Sequence, residues 1–330
     1  MIGKAFFLFP GQGAQTPGMA MDLYEKSGER VKQLFALCSG IYGKDMADVL
    51  ANSSPDTLKR TDVCQPAITL ANLVAAAHLA SMGIASCGCA GFSLGEFAAL
   101  AIAGIISEED CFRLVIARGK AMQDAIDKIS GDTAGMVPGM GAIMGLEPQK
   151  VESLIDDWKS SGAITDLYAA NINSPKQTVV SGSAEALAEG EKLFIAAGAK
   201  RFIRLQVAGP YHSPFMESAA GQFRPVLEKI AFNDPKIPFY SNVSGKRVLS
   251  GEEAKKLSLA QITGAVRWTD EEAAIAADSA GSVFGGTGIE ALLECGPGKV
   301  LQGLWKDTGS AIPCLPAGTY DDIEKLKENV

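Results

Sequence analysis

The segment Gly91-Phe92-Ser93-Leu94-Gly95-Glu96 sets a serine between two glycines, where a run of small residues meets a helical pattern. That spacing is what a nucleophile elbow requires: the serine occupies a strained strand-to-helix turn, and the flanking glycines omit the Cβ atoms that would block it. The helix expected to follow, residues 96–104, aims its N-terminal N–H groups and positive dipole end at the serine, which favours an oxyanion there. The pattern is short, and Ser93 also has the chemistry of a plain helix cap. A serine hydroxyl needs a base to take its proton, and the chain has only two histidines, His78 and His212. His78 falls inside an apolar helical pattern, the setting of a core histidine. His212 falls in the irregular loop Val207-Ala208-Gly209-Pro210-Tyr211-His212-Ser213-Pro214, and loops on a rigid scaffold are where catalytic side chains concentrate. Ser93 and His212 therefore predict covalent acyl chemistry. No spacing identifies an Asp or Glu to orient the imidazole, and a backbone carbonyl serves equally well.

The surrounding patterns say which elements must bring these residues together. Residues 6–9 form a continuous apolar run stopped by Pro10-Gly11, as expected of a buried parallel strand leading into a loop. Helical patterns over residues 19–38, 67–82, 96–104 and 108–126 alternate with strands at 6–9 and 87–90, which predicts a mainly parallel α/β sheet. A glycine-rich stretch, residues 131–141, then opens a different order. Strands at 142–146, 167–171, 177–181 and 201–207, with helices at 148–159 and 184–197, give β-α-β-β-α-β, the ferredoxin-like arrangement. An inserted subdomain is expected over residues 131–205, with residues 1–130 and 206–330 forming the larger α/β domain. The cleft between them is the expected ligand site. A late strand at 291–295 ends in Gly296-Pro297-Gly298.

Composition excludes several classes. A chain of 330 residues with 47% hydrophobic residues buries a sizeable core. A net charge of −8, with no basic stripe carrying interleaved aromatics, argues against nucleic acid. Seven cysteines include a closest pair, Cys87 and Cys89, one residue apart rather than two, which suits reduced thiols in a cytoplasmic protein and no metal. The N-terminal apolar run is too short to span a bilayer and lacks a cleavage-site pattern. Residues 67–80 are interrupted by Asn72 and His78 and suit a buried core helix, so no membrane association is expected.

Several segments carry a more specific signal together: Phe9-Pro10-Gly11-Gln12-Gly13-Ala14-Gln15, Gln65-Pro66-Ala67, the elbow, Arg118-Gly119-Lys120-Ala121-Met122-Gln123, Asn173-Ser174-Pro175 with Ser181-Gly182, Pro210-Tyr211-His212, Val266-Arg267-Trp268-Thr269, and Glu294-Cys295-Gly296-Pro297-Gly298-Lys299-Val300-Leu301. In order and spacing the chain resembles the malonyl-CoA:acyl carrier protein transacylases of bacterial fatty acid synthesis over nearly its whole length. The resemblance implies an α/β-hydrolase-like core with a ferredoxin-like insertion. It implies Ser93 as the acylated nucleophile, His212 as its base, and the main-chain carbonyl of Gln261 as the group that holds the histidine. The backbone N–H groups of Gln12 and Leu94 match the oxyanion hole, and Arg118 matches the clamp for the malonyl carboxylate. A planar guanidinium suits that task, because it binds a carboxylate through two parallel hydrogen bonds. On residue type alone, Arg118 in a charge-rich helix reads as a solvated surface residue. The implied reaction is ping-pong transfer of malonyl from malonyl-CoA to the phosphopantetheine thiol of acyl carrier protein. The implied protein is a cytoplasmic monomer with no cofactor of its own.

The chain departs from the family pattern at named positions. Phe92 stands where histidine is usual, and Gly264-Ala265 where Asn-Pro is usual, which loosens the loop near Gln261. Tyr211 stands where Phe or Ser is frequent, and its bulk would crowd an α-methyl group, favouring malonyl over methylmalonyl. Asn171, Asn173, Gln65 and Gln177 lie in matching segments but equally suit turn and sheet hydrogen bonding. Lys192, Lys200, Arg201 and Arg204 offer a basic patch for an acidic carrier protein, or a solvated face. Three other functions share these features: a discrete polyketide-synthase acyltransferase, a related acyl hydrolase, and a non-catalytic carrier-protein-binding scaffold. Arg118 argues against the hydrolase, and the intact Ser93 and His212 against the scaffold.

Overall fold

The apolar run at the N-terminus forms a strand, Ala5–Phe9, that is buried along its whole length. The computed structural model describes residues 4–132, 137–286 and 288–326. The strands found there are β1 (Ala5–Phe9), β2 (Ser86–Gly91), β3 (Gly139–Met144), β4 (Leu167–Ser174), β5 (Gln177–Gly182), β6 (Arg201–Arg204), β7 (Phe239–Ser241), β8 (Lys246–Val248), β9 (Ala291–Glu294) and β10 (Cys314–Pro316). Six of them form a sheet in the order β10-β9-β1-β2-β7-β8, parallel at every step except β7 to β8. Alternation along β1 divides the core. Phe7 and Phe9 enter the cluster beneath the long helices Thr61–Ser81 and Glu108–Asp132, while Phe6 and Leu8 pack with Tyr240, Trp268 and Trp305 on the other face.

The other four strands form a separate antiparallel sheet in the order β4-β5-β3-β6. The helices Pro148–Ser161 and Ala184–Ala196 close its core around Ile143, Val180 and Phe194. An isolated bridge joins β4 to the segment before the helix Trp268–Ala280: Val266 N–H donates to Ala170 O at 2.9 Å and Ile172 N–H to Val266 O at 2.8 Å. This seam also brings the loop around residue 264 beside the second sheet.

Several boundaries differ from the sequence reading. The helix expected over residues 19–38 is two helices, Met21–Lys26 and Glu29–Tyr42, because Ser27 and Gly28 are extended and interrupt the turn. The helix expected to start after Pro66 begins at Thr61 and runs through the proline. Pro66 sits near the N-terminus, so it removes only one interior hydrogen bond, and burial of almost every residue beyond it outweighs that loss. This helix is long and apolar enough to cross a membrane by length and composition, yet 89% of the relevant window is buried inside the fold. The strand expected over 201–207 ends at Arg204, and the helix expected to end at 126 continues to Asp132. Part of the glycine-rich stretch, residues 133–136, lies outside the described residues.

Candidate active site

The elbow forms where β2 ends at Gly91 and the helix Gly95–Ile102 begins. Ser93 takes φ +49°, a left-handed conformation that few non-glycine residues adopt. Packing against β1 enforces the turn: Phe92 N–H donates to Phe9 O at 2.9 Å, and a Cβ on Gly95 would lie 2.0 Å from the same oxygen. Gly95→Ala is therefore expected to destabilise the fold by about 3 kcal/mol, through overpacking against immobile backbone. Urea denaturation checks this, and a midpoint equal to that of the parent would contradict it.

His212, also left-handed at φ +55°, brings Nε2 to 2.8 Å from Ser93 Oγ. Its Nδ1 lies 2.8 Å from Gln261 O and 3.1 Å from Gly264 O. Carbonyl oxygens only accept, so Nδ1 carries the proton and the Nε2 lone pair faces the serine hydroxyl. Two carbonyls thus occupy the place that a carboxylate takes in a triad. With Gly264-Ala265 in this loop the Gln261 contact is in place, and Gly264 O lies beside it as a second acceptor. Burial and the Arg118 charge pull the His212 pKa down to about 4, although the two carbonyls oppose the shift. The imidazole is consequently neutral at pH 7, the form that accepts a proton.

Arg118 contradicts the reading of a solvated helix residue, being only 1% exposed. Nη1 donates to Gln65 Oε1 at 3.0 Å and Nη2 to Gln261 Oε1 at 3.1 Å, while Nε has no partner among the described residues. Burial lowers its pKa to about 10, so it stays charged. The buried guanidinium bonds two neutral carboxamides and no carboxylate, with Glu96 close enough only to raise its pKa, so it can receive an anion. Ser93, His212 and Arg118 line one cavity of about 220 Å³, together with Gln12, Phe92 and Tyr211. The backbone N–H groups of Gln12 and Leu94 donate to no protein acceptor among the described residues. They remain available to an oxygen at Ser93.

The acyl transferase domain family matches residues 6–286. The chain is 35% identical over 301 residues to the malonyl CoA-acyl carrier protein transacylase of Escherichia coli K12, covering 91% of each. The chain belongs to the malonyl-CoA:acyl carrier protein transacylase family. Among solved structures, an acyl carrier protein S-malonyltransferase from Vibrio cholerae superposes with a TM-score of 0.87 at 32% identity, covering 98% of this chain and all of that one. A malonyl-transacylase solved in complex with a type II polyketide-synthase acyl-carrier protein gives 0.87 at 31% identity, covering 99% and 100%.

Within this transacylase site, Phe92 packs edge-on against Trp268, with ring centroids 5.4 Å apart, and presents an aromatic wall where the family usually has a polar ring. Tyr211 is buried and its hydroxyl lies 3.1 Å from Gln12 Nε2, tying the Gln12 loop to the histidine loop. Asn171 and Asn173 line the cavity, and Gln65 holds Arg118; Gln177 lies in β5 away from the cavity lining. His78 is buried and stacked on Tyr320, away from the cavity lining. Among the surface cations, Lys192 is paired with Glu189 at 2.8 Å, while Arg204 donates to the neutral Ala184 O and keeps its charge. All seven cysteines are free, six of them buried, and no cluster of potential metal ligands is found among the described residues. Sequence reasoning missed Asn242, whose Oδ1 accepts the Ser93 N–H at 2.5 Å. It also missed the Gln261 side chain, which donates to Ser93 O at 3.0 Å. Both partners lie well over a hundred residues from Ser93 in sequence, so no local pattern announces them.

Proposed function

We propose that the chain carries malonyl groups from malonyl-CoA to the phosphopantetheine thiol of an acyl carrier protein, with Ser93 as the intermediate acceptor. His212 takes the Ser93 proton as Oγ attacks the thioester carbonyl, and the oxyanion rests on the Gln12 and Leu94 N–H groups. Each such donor is worth about 10²–10³ in rate. Collapse of the tetrahedral intermediate expels the CoA thiolate, which His212 protonates. The carrier thiol then gives its proton to His212, attacks malonyl-Ser93, and leaves as the malonyl thioester while Ser93 recovers its proton. Arg118 holds the malonyl carboxylate through both half-reactions. The observation that carries this reading is the buried Arg118 charge, without a bonded carboxylate, in the cavity that holds the Ser93–His212 pair.

Residues 131–205 act as a ferredoxin-like subdomain inserted into an α/β-hydrolase-like core of residues 1–130 and 206–330. The antiparallel order β4-β5-β3-β6 supports the first part. In this reading the protein works as a cytoplasmic monomer with no cofactor of its own, and the bulk of Tyr211 disfavours α-methylated acyl groups. A likeness to the transacylase bound to a polyketide carrier also suits a discrete acyltransferase of polyketide synthesis. A chase experiment separates the outcomes: the protein is loaded with labelled malonyl-CoA, freed of excess substrate, and given holo acyl carrier protein of either pathway or buffer alone. Label is expected on the fatty-acid carrier protein within a few turnovers. Preferential loading of the polyketide carrier supports the other pathway, and prompt release of free malonate in buffer contradicts transfer.

A further inference from the structure

Beneath the elbow lies a buried polar cluster to which the acyl-transfer steps assign no part. Asn242 follows β7, the neighbour of β2 in the sheet, so it lies beside the strand end that carries the elbow. Its Oδ1 accepts the Ser93 N–H at 2.5 Å, and its Nδ2 donates to Gly91 O at 2.7 Å and to Glu271 Oε2 at 2.9 Å. Its own N–H donates to Glu96 Oε2 at 2.7 Å. A peptide N–H only donates and a peptide C=O only accepts, so the orientation of this amide is fixed by its partners. Asn242 and Glu271 are fully buried and Glu96 is 1% exposed. On the other side of Ser93, Gln261 Nε2 donates to Ser93 O at 3.0 Å. Carboxamides thus hold both polar backbone groups of a residue at φ +49°, a conformation that persists only where its surroundings over-determine it.

We propose that Asn242 is a positioning residue for acyl transfer: anchored by Glu96 and Glu271, its carboxamide holds the strained Ser93 backbone so that Oγ stays on His212 Nε2 and the Leu94 N–H stays turned to the site. The state of the two carboxyls suits this task. Burial holds Glu271 well above the usual carboxylate range and pushes Glu96 up to about 7. A neutral Glu271 still accepts from Asn242, and it spares the oxyanion a second negative charge beneath the elbow.

The inference rests on Ser93 as the nucleophile, and its test is the single-turnover rate of acylation in Asn242→Ala. Misplacing a nucleophile by a fraction of an ångström to one ångström costs about 10²-fold. Acylation by malonyl-CoA is expected to slow about 100-fold and acetyl-CoA to lose the same factor, with KM within about threefold of the parent and cooperative thermal unfolding retained. Equal loss on both acyl groups separates the elbow from the carboxylate clamp. An undiminished acylation rate in folded Asn242→Ala, or a loss confined to KM, overturns the inference. If that variant does not fold, Glu271→Leu, which leaves Nδ2 one acceptor short, is expected to slow acylation about tenfold. Glu271→Gln, which restores an acceptor, is expected to recover most of that rate, and equal rates in the two variants overturn the inference. Absence of any acyl group on Ser93 of the parent protein is a separate result, contradicting the nucleophile itself.

Discussion

Replacing His212 with alanine is expected to lower kcat for malonyl transfer by about 10³–10⁴, because general-base help to the serine and general-acid help to the leaving thiolate vanish together. The geometry behind this is the 2.8 Å approach of Nε2 to Ser93 Oγ, with Nδ1 held by Gln261 O and Gly264 O. The same residue sets a pH dependence. His212 must be neutral to act, and its pKa is drawn down to about 4, so kcat/KM should stay level as pH falls through 6.5 and decline only near 4. Acetyl-CoA is the substrate of choice for this profile, because its acyl group carries no carboxylate to titrate. Because Glu96 is pushed up to about 7, an acid limb near 6.5 that persists in Glu96→Gln is the result that would contradict the buried environment of the imidazole.

The second large effect is selective. Arg118→Ala should reduce kcat/KM for malonyl-CoA by about 10²–10³, the worth of two charge-assisted hydrogen bonds in a dry site. Acetyl-CoA, which offers no carboxylate, should change by less than about tenfold. Equal losses on the two substrates would remove Arg118 from the clamp role. Arg118→Lys keeps the charge but loses the planar fork, and is expected to fall between parent and alanine. The two predictions are coupled, because the Arg118 charge is one cause of the depressed His212 pKa. Removing it should move the acid limb upward, toward the ordinary imidazole value.

What could be read from sequence was local. The glycines around Ser93 and the apolar run before Pro10-Gly11 placed the elbow and β1 within a residue or two, because a tight turn and a buried strand constrain a handful of neighbouring residues. The β-α-β-β-α-β order of residues 139–204 was likewise legible from alternation and helical period. Pro66 misled, because a proline signal is local while the burial that carries the helix through it is not. On residue type alone, Arg118 misled for the same reason. Its helix is charged on average, and only its contacts with Gln65 and Gln261, 53 and 143 residues away, show that this position faces inward. The amides that hold Ser93 belong to this second group, so the site's chemistry was visible in the chain while its support was not.

Ser93 as the carrier of the acyl group between two thiols is checked by peptide mapping with mass spectrometry after brief incubation with malonyl-CoA. A malonyl ester is expected on the peptide containing Ser93, absent from Ser93→Ala and discharged on addition of holo acyl carrier protein. A malonyl group found on another residue, or transfer at the parent rate in Ser93→Ala, would contradict it.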